Sequence, residues 1–226
     1  MLFTLAPSDL DYSPKKCERC FYLKKIKKIS ADNFPPPVFS NFDSIQKNYF
    51  KNLNTKDLTD QLPKGRFLTK DELPGKIFSQ ELKDLKGRKF ILGGTPDIVV
   101  QFEDNSYGIL DFKTTNLSDT KSENYKYQLE AYAQIFTYPG ESKSKKTPKL
   151  EPIICLGILQ FFPYKIFSHL NYKAHLEMEM SYSPLKRDID DFYRHITFVL
   201  DILSSDKEPE FNRDCNKCNF VITQSG

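Results

Sequence analysis

Tryptophan is absent from this chain of 226 residues, and cysteine is scarce at five, with three histidines and three methionines. Five unevenly placed cysteines are too few for a secreted scaffold built on disulfides. No apolar run approaches the roughly 18 residues that a membrane-spanning helix needs. The opening MLFTLAPSDLDYS has neither the basic start nor the long apolar stretch of a secretory signal. These absences predict a cytoplasmic protein with no membrane partner. A large charge imbalance is missing too: 33 Lys and Arg against 30 Asp and Glu leave +3, which alone neither requires nor excludes a polyanion. No internal repeat is visible, so a solenoid is not expected.

What is present is an aromatic core. Hydrophobic residues make up 39% of the chain, with 19 Phe and 12 Tyr, too many for a disordered protein. The length fits one domain, read as a basic N-terminal segment (1–37), a core (38–205) and a tail (206–226). The positive charge is not spread evenly. Residues 1–30 carry seven basic and three acidic side chains, leaving the remainder at −1.

Three consecutive prolines in DNFPPP at 32–37 predict an extended connector. A helix follows near 41–52, with Phe42, Ile45, Tyr49 and Phe50 at helical spacing. Residues 54–88 read as mostly irregular. RKFILGG, TPDIVVQF and YGILDFKTT read as three strands of an antiparallel meander. Polar residues 116–124 then lead to a helix in NYKYQLEAYAQIF. PGESKSKKTPK reads as a surface loop, and IICLGILQFF as a strand buried on both faces. Leu176, Met178 and Met180 alternate with His175, Glu177 and Glu179, which predicts one face in and one out. Ser183 as N-cap and Pro184 at the first helical position announce the last helix, with Ile189, Phe192, Tyr193, Ile196, Val199, Leu200 and Leu203 on one stripe. The order α, β, β, β, α, β, β, α predicts an α/β fold with a mixed central sheet and flanking helices.

Asp111 and Lys113 are two apart on a strand and so project from one face. If that strand pairs with its predecessor about the turn EDNS, Asp97 comes beside Asp111, and two adjacent carboxylates repel unless a cation lies between them. Oxygen ligands with room for water suit Mg²⁺ or Mn²⁺, and the carbonyl of Phe112 is a further candidate ligand. Lys113 would then stand beside the metal, where an ammonium stabilises negative charge at a reacting phosphate. An acid and a lysine two apart also make ordinary surface pairs, but Gly108-Ile109-Leu110 is an apolar approach in which an unpartnered carboxylate is costly.

The cysteines form a second constellation. Cys17 with Cys20 and Cys215 with Cys218 are two CxxC pairs at opposite ends of the chain, together enough for a four-thiolate zinc or [4Fe-4S] site. Such a site would join the N-terminal segment to the tail. Cys155 reads as a buried small apolar residue. Around the first pair, Lys15, Lys16, Arg19, Lys24 and Lys25 with Phe21 and Tyr22 suit a nucleic-acid backbone with base stacking, or equally a solvated helical face. Tyr125 and Lys126 make a second such combination.

GGTPD, then ILDFKTT, then a helix with QLEAYA, between CERCFYL and a terminal cysteine pair, resembles the PD-(D/E)XK nuclease superfamily in its RecB-like branch, which includes the iron-sulfur exonucleases of CRISPR adaptation. The resemblance implies a restriction-endonuclease-like core. It implies Asp97 and Asp111 as metal ligands, Lys113 as the catalytic lysine, and Gln128 with Tyr132 as the branch's glutamine and tyrosine. Residues 128 and 132 do share a helical face. It further implies a [4Fe-4S] cluster, single-stranded DNA or DNA ends as substrate, and protein partners in repair or CRISPR adaptation. The chain departs from the branch in two respects: it has two cysteines at each end, where better-known members have one N-terminal and three C-terminal, and its first core helix has no histidine or glutamate to add a metal ligand, Asp43 being the acidic residue there. A catalytically weak or inactive nucleic-acid-binding subunit is therefore the alternative expectation. His169, His175 and His195 read as packing or surface residues.

Overall fold

The apolar runs at 89–94 and 98–102 both become strands, yet they enter different sheets. The computed structural model describes residues 2–11, 13–29, 36–50, 53–68, 72–116, 122–141 and 146–218. In chain order the strands are β1 (Leu2–Leu5), β2 (Gly65–Phe67), β3 (Ile77–Phe78), β4 (Leu82–Lys83), β5 (Lys89–Gly94), β6 (Ile98–Phe102), β7 (Tyr107–Thr114), β8 (Ile153–Leu170) and β9 (Lys173–Leu185). The helices are α1 (Ser13–Lys16), α2 (Glu18–Tyr22), α3 (Pro37–Phe50), α4 (Lys126–Thr137) and α5 (Ile189–Leu203).

The main sheet has the order β2-β6-β7-β8-β9 and is mixed, because β7 and β8 run parallel while the other neighbours are antiparallel. Parallel neighbours need a crossover, and α4 lies within it. The three-strand meander is thus corrected to one hairpin, β6–β7. β5 instead centres a smaller sheet, parallel to β1 and antiparallel to β3 and β4. The reason lies in Gly93-Gly94-Thr95-Pro96. Pro96 has no N–H to donate to a ladder, and a Cβ on Gly93 would stand 2.6 Å from the Phe78 ring, so the end of β5 is committed to β3.

Alternation along β6 and β7 separates two cores. Val99 and Ile109 face α4 and α5, in a core shared with Leu5, Phe90, Phe136 and Phe192. Ile98, Val100, Leu110 and Phe112 face the other way, packing with Phe50 of α3, Phe67 and Phe161. α4 is buried on nearly all sides, from Tyr127 to Phe136. α3 forms as expected but buries only Gln46 and Phe50, leaving Ile45 and Tyr49 exposed. Residues 54–88 hold short strands that composition did not announce, and β1 was not anticipated either.

β8 and β9 continue well beyond the body of the sheet. Ile153 and residues 156–161 are buried as expected, but Ile154 is exposed and Cys155 and Phe162 are only half-buried; Leu176 and Met180 are exposed too, because nothing among the described residues covers this part of the ribbon. Ser183 and Pro184 belong to β9. The true N-cap of α5 is Asp188, whose Oδ1 accepts from the Asp191 amide at 2.8 Å. The stripe of α5 is buried from Phe192 to Leu203 apart from a half-buried Tyr193, while Ile189 is exposed. The proline connector at 32–37, the polar segment 116–124, the loop 139–149 and the tail 206–226 fall partly outside the described residues.

Candidate functional site

The register of the β6–β7 hairpin pairs Ile98 with Leu110. One step further, Asp97 comes beside Asp111, whose side chain is on the α4 side with Ile109. Asp97 Oδ2 accepts from the Phe112 amide at 3.2 Å, so the backbone holds this carboxylate beside its neighbour. The Phe112 side chain is buried in the opposite core. Lys113 Nζ lies 2.6 Å from Asp111 Oδ2. Oδ2 is buried and faces that ammonium. Gln128 of α4 donates its amide to Asp111 Oδ1 at 3.0 Å. Tyr132, one turn on, donates its hydroxyl to the carbonyl of Thr95 at 2.8 Å and so ties the loop carrying Asp97 to α4.

Asp111 is 4% exposed. Burial pushes its carboxyl up to about 7 against the pull of Lys113, and the adjacent Asp97 adds to the rise. Burial acts to lower Lys113, but the two carboxylates outweigh it and hold the ammonium above its ordinary value. The Tyr132 hydroxyl is pushed up by burial and by both carboxylates. The site thus contains a buried acid paired with a charged lysine and set next to a second acid.

Sequence reasoning gave Lys47 no role, yet it belongs here. From α3 its Nζ reaches Asp97 Oδ1 at 2.6 Å and Asp43 Oδ2 at 2.9 Å. Asp43 therefore stands at the rim, joined to Asp97 through a lysine. The available signal was the i,i+4 spacing of Asp43 and Lys47, a common solvated helix pair. Tyr125 lies under Lys113, its ring centroid 4.7 Å from Nζ.

The four terminal cysteines converge. Their sulfurs all lie within 4.8 Å of one another, with Cys17 to Cys218 at 3.4 Å, Cys20 to Cys218 at 3.4 Å and Cys20 to Cys215 at 3.7 Å. Cys17 caps α2 and Cys20 sits in its first turn, which turns both sulfurs the same way. Burial pushes the Cys17 thiol up to about 11 and raises Cys20 as well. At Cys215 burial acts in the same sense but is outweighed by the backbone N–H of Cys218 and by the Cys17 and Cys20 thiols, which hold it down to about 7. Four sulfurs at these distances can bind a metal such as zinc or an iron-sulfur cluster. A single zinc ion with Zn–S near 2.3 Å implies tetrahedral edges of about 3.8 Å. In a [4Fe-4S] cluster each thiolate binds a different iron, so the four sulfurs have to stand farther apart. Cys155 is partly buried and remote from this group, packing against the second core.

The basic run near the first cysteine pair is largely tied down. Arg19 pairs with Glu208 and Lys25 with Asp9, while Lys15 donates to the Tyr127 hydroxyl. Lys126 pairs with Asp191. Lys16 is exposed, its carbonyl accepting weakly from Asn212, and Lys24 is exposed too. His195 is a packing residue, stacked on Tyr127 with ring centroids 3.9 Å apart, while His169 and His175 are exposed on the ribbon.

Fold and site together define a mixed α/β protein with a four-cysteine group that joins its two ends. No protein-family model matches the chain, and no curated protein does. A solved structure described as the crystal structure of SSO0001 is similar over 97% of this chain and 84% of that one, with a TM-score of 0.51 and 14% identity. At that identity the likeness is one of fold.

Proposed function

We propose that this chain is a metal-dependent DNA nuclease of the PD-(D/E)XK superfamily, in its RecB-like branch, with a restriction-endonuclease-like core. The observation that carries the reading is the meeting of Asp97, Asp111, Lys113 and Gln128 at one end of the β6–β7 hairpin, with Asp111 buried there. Asp97 and Asp111, with the Phe112 carbonyl, are the groups that would hold Mg²⁺ or Mn²⁺, and Asp43 stands at the rim. Such an ion, when bound, polarises a phosphate oxygen and lowers the pKa of its water.

The chain's own groups supply the rest. Gln128 fixes one oxygen of Asp111, and the other, which pairs with the Lys113 ammonium, is the one that would turn to a metal ion. Lys113 keeps a charged ammonium at the reacting phosphate. Tyr132, bonded to Thr95, is a positioning residue that sets the height of Asp97. Tyr125, with its ring against Lys113, suits a splayed base of single-stranded DNA or a DNA end. The family resemblance further suggests repair or CRISPR adaptation as the setting, with partner proteins there. It also favours a [4Fe-4S] cluster at the cysteines, whereas the sulfur spacing favours a single zinc ion; metal analysis of the purified protein separates the two.

A second reading, a nucleic-acid-binding subunit without efficient cutting, is favoured by one specific observation: a lysine occupies the carboxylate pair from the helix that otherwise offers only Asp43. The test is cleavage of end-labelled single-stranded and duplex DNA with Mn²⁺. The nuclease reading expects cutting that Lys113→Ala abolishes. DNA binding without turnover establishes the second reading, and equal cutting by Lys113→Ala refutes the mechanism.

A further inference from the structure

Asp97 and Asp111 each face an ammonium, but the two lysines are held very differently. Lys113 rises from the central strand and is walled in by Asp111 and the Tyr125 ring. Lys47 rises from α3, a peripheral helix, and its side chain is 28% exposed where it bridges Asp97 Oδ1 and Asp43 Oδ2. We propose that Lys47 is a built-in cation of the carboxylate site, which a divalent metal has to displace from Asp97. This rests on the reading of Asp97 and Asp111 as metal ligands.

The geometry makes the displacement an inexpensive one. Lys47 is anchored twice, so leaving Asp97 breaks one ion pair and keeps the pair with Asp43. A four-carbon stem with free rotation lets the ammonium withdraw without moving the helix. While it remains in place it neutralises Asp97 and relieves the repulsion between two adjacent carboxylates. An ion pair of this exposure contributes on the order of fivefold in an equilibrium constant. The site in this chain therefore binds a divalent ion about fivefold more weakly than the same carboxylates would without the lysine.

Equilibrium dialysis with manganese alone measures this without any turnover. The Asp97→Asn variant defines binding elsewhere, including at the cysteines, and the difference from it isolates the carboxylate site. Lys47→Met keeps the apolar stem, and Lys47→Gln is a second neutral variant should the first fail to fold, as judged by thermal melting. Both are expected to bind manganese about fivefold more tightly than the parent at the Asp97-dependent site, while Lys47→Arg, which keeps the charge, matches the parent. Equal or weaker binding by the neutral variants overturns the proposal while leaving the metal site standing. Absence of any Asp97-dependent manganese binding, in parent and variants alike, overturns the metal site itself and this inference with it.

Discussion

Removing the metal from the four-cysteine group is expected to cost the protein a large share of its stability. Cys20 and Cys215 are 195 residues apart. An unfolded chain can offer the same four sulfurs to one metal only after closing that loop. The chain-entropy relation puts this closure at about 5 kcal/mol. The folded chain has already brought its ends together and binds the metal more tightly by about that amount, which is what binding adds to stability. The tail also meets the first segment through Glu208 with Arg19, the Phe211 ring 5.9 Å from the Arg19 guanidinium, and a 3.5 Å bond from Asn212 to the Lys16 carbonyl, and the two hydrogen bonds among these are exposed. For a chain of this size the loss corresponds to a fall of about 10–20 °C in melting temperature. Thermal unfolding of loaded protein, chelator-stripped protein and a Cys215→Ser, Cys218→Ser double variant, with metal content measured on each sample, makes the comparison. A melting temperature that stays within about 3 °C after complete metal loss would refute the reasoning, since it would mean that the tail is released locally while the fold is indifferent to it.

Two further perturbations follow from buried polar groups. Glu130 of α4, 3% exposed, receives Arg187 at both oxygens, at 2.6 and 3.0 Å, and Glu130→Gln leaves that arginine half-paired; a loss of about 3 kcal/mol is expected in urea unfolding, and a loss under 1 kcal/mol would show that the bridge is structurally idle. His195 donates Nε2–H to the Leu10 carbonyl and leaves Nδ1 bare, and burial, helped by Lys15, lowers it from 6.5 to about 4. The unfolded histidine takes up a proton below about 6.5 and the folded one only below about 4, so this group's contribution of about 3 kcal/mol is present above pH 6.5 and is lost as pH falls through that window. His195→Gln should flatten the pH dependence of stability there, and an unchanged slope would exclude the histidine as its source.

Much of the candidate site was legible along the chain because it depends on local spacing. Asp111 and Lys113 share a face by strand alternation, and Gln128 and Tyr132 share one by helical period. The cysteine pairs declared themselves by doubling an uncommon spacing at both ends of a chain poor in cysteine. The features that were missed are non-local. β1 is four residues long and has meaning only through its pairing with β5. The meander failed because three successive apolar runs look alike whether or not the middle turn reverses direction, and Pro96 with the glycine contacts at β3 decided that it does not. Ser183-Pro184 imitates a helix start, but those residues complete the ladder with β8, and a side chain three residues before Asp191 performs the capping. Lys47 was hidden for a similar reason: a lysine four residues after an aspartate reads as a surface pair until a strand brings Asp97 to the same ammonium.

Sequence alone determined the composition of the core, the strand and helix identity of the strongly periodic segments, and which residue types were available for a metal or a phosphate. These follow from side-chain period and chemistry, which act within a few residues. Tertiary structure alone decided which strands share a sheet, that the four sulfurs close to within 4.8 Å of one another, and that a second lysine, Lys47 of α3, reaches the acid pair. Those outcomes depend on burial and on contacts between residues far apart in the chain. Burial in particular makes Asp111 a hard-to-ionise acid, where the same aspartate in an exposed strand would be an ordinary surface charge.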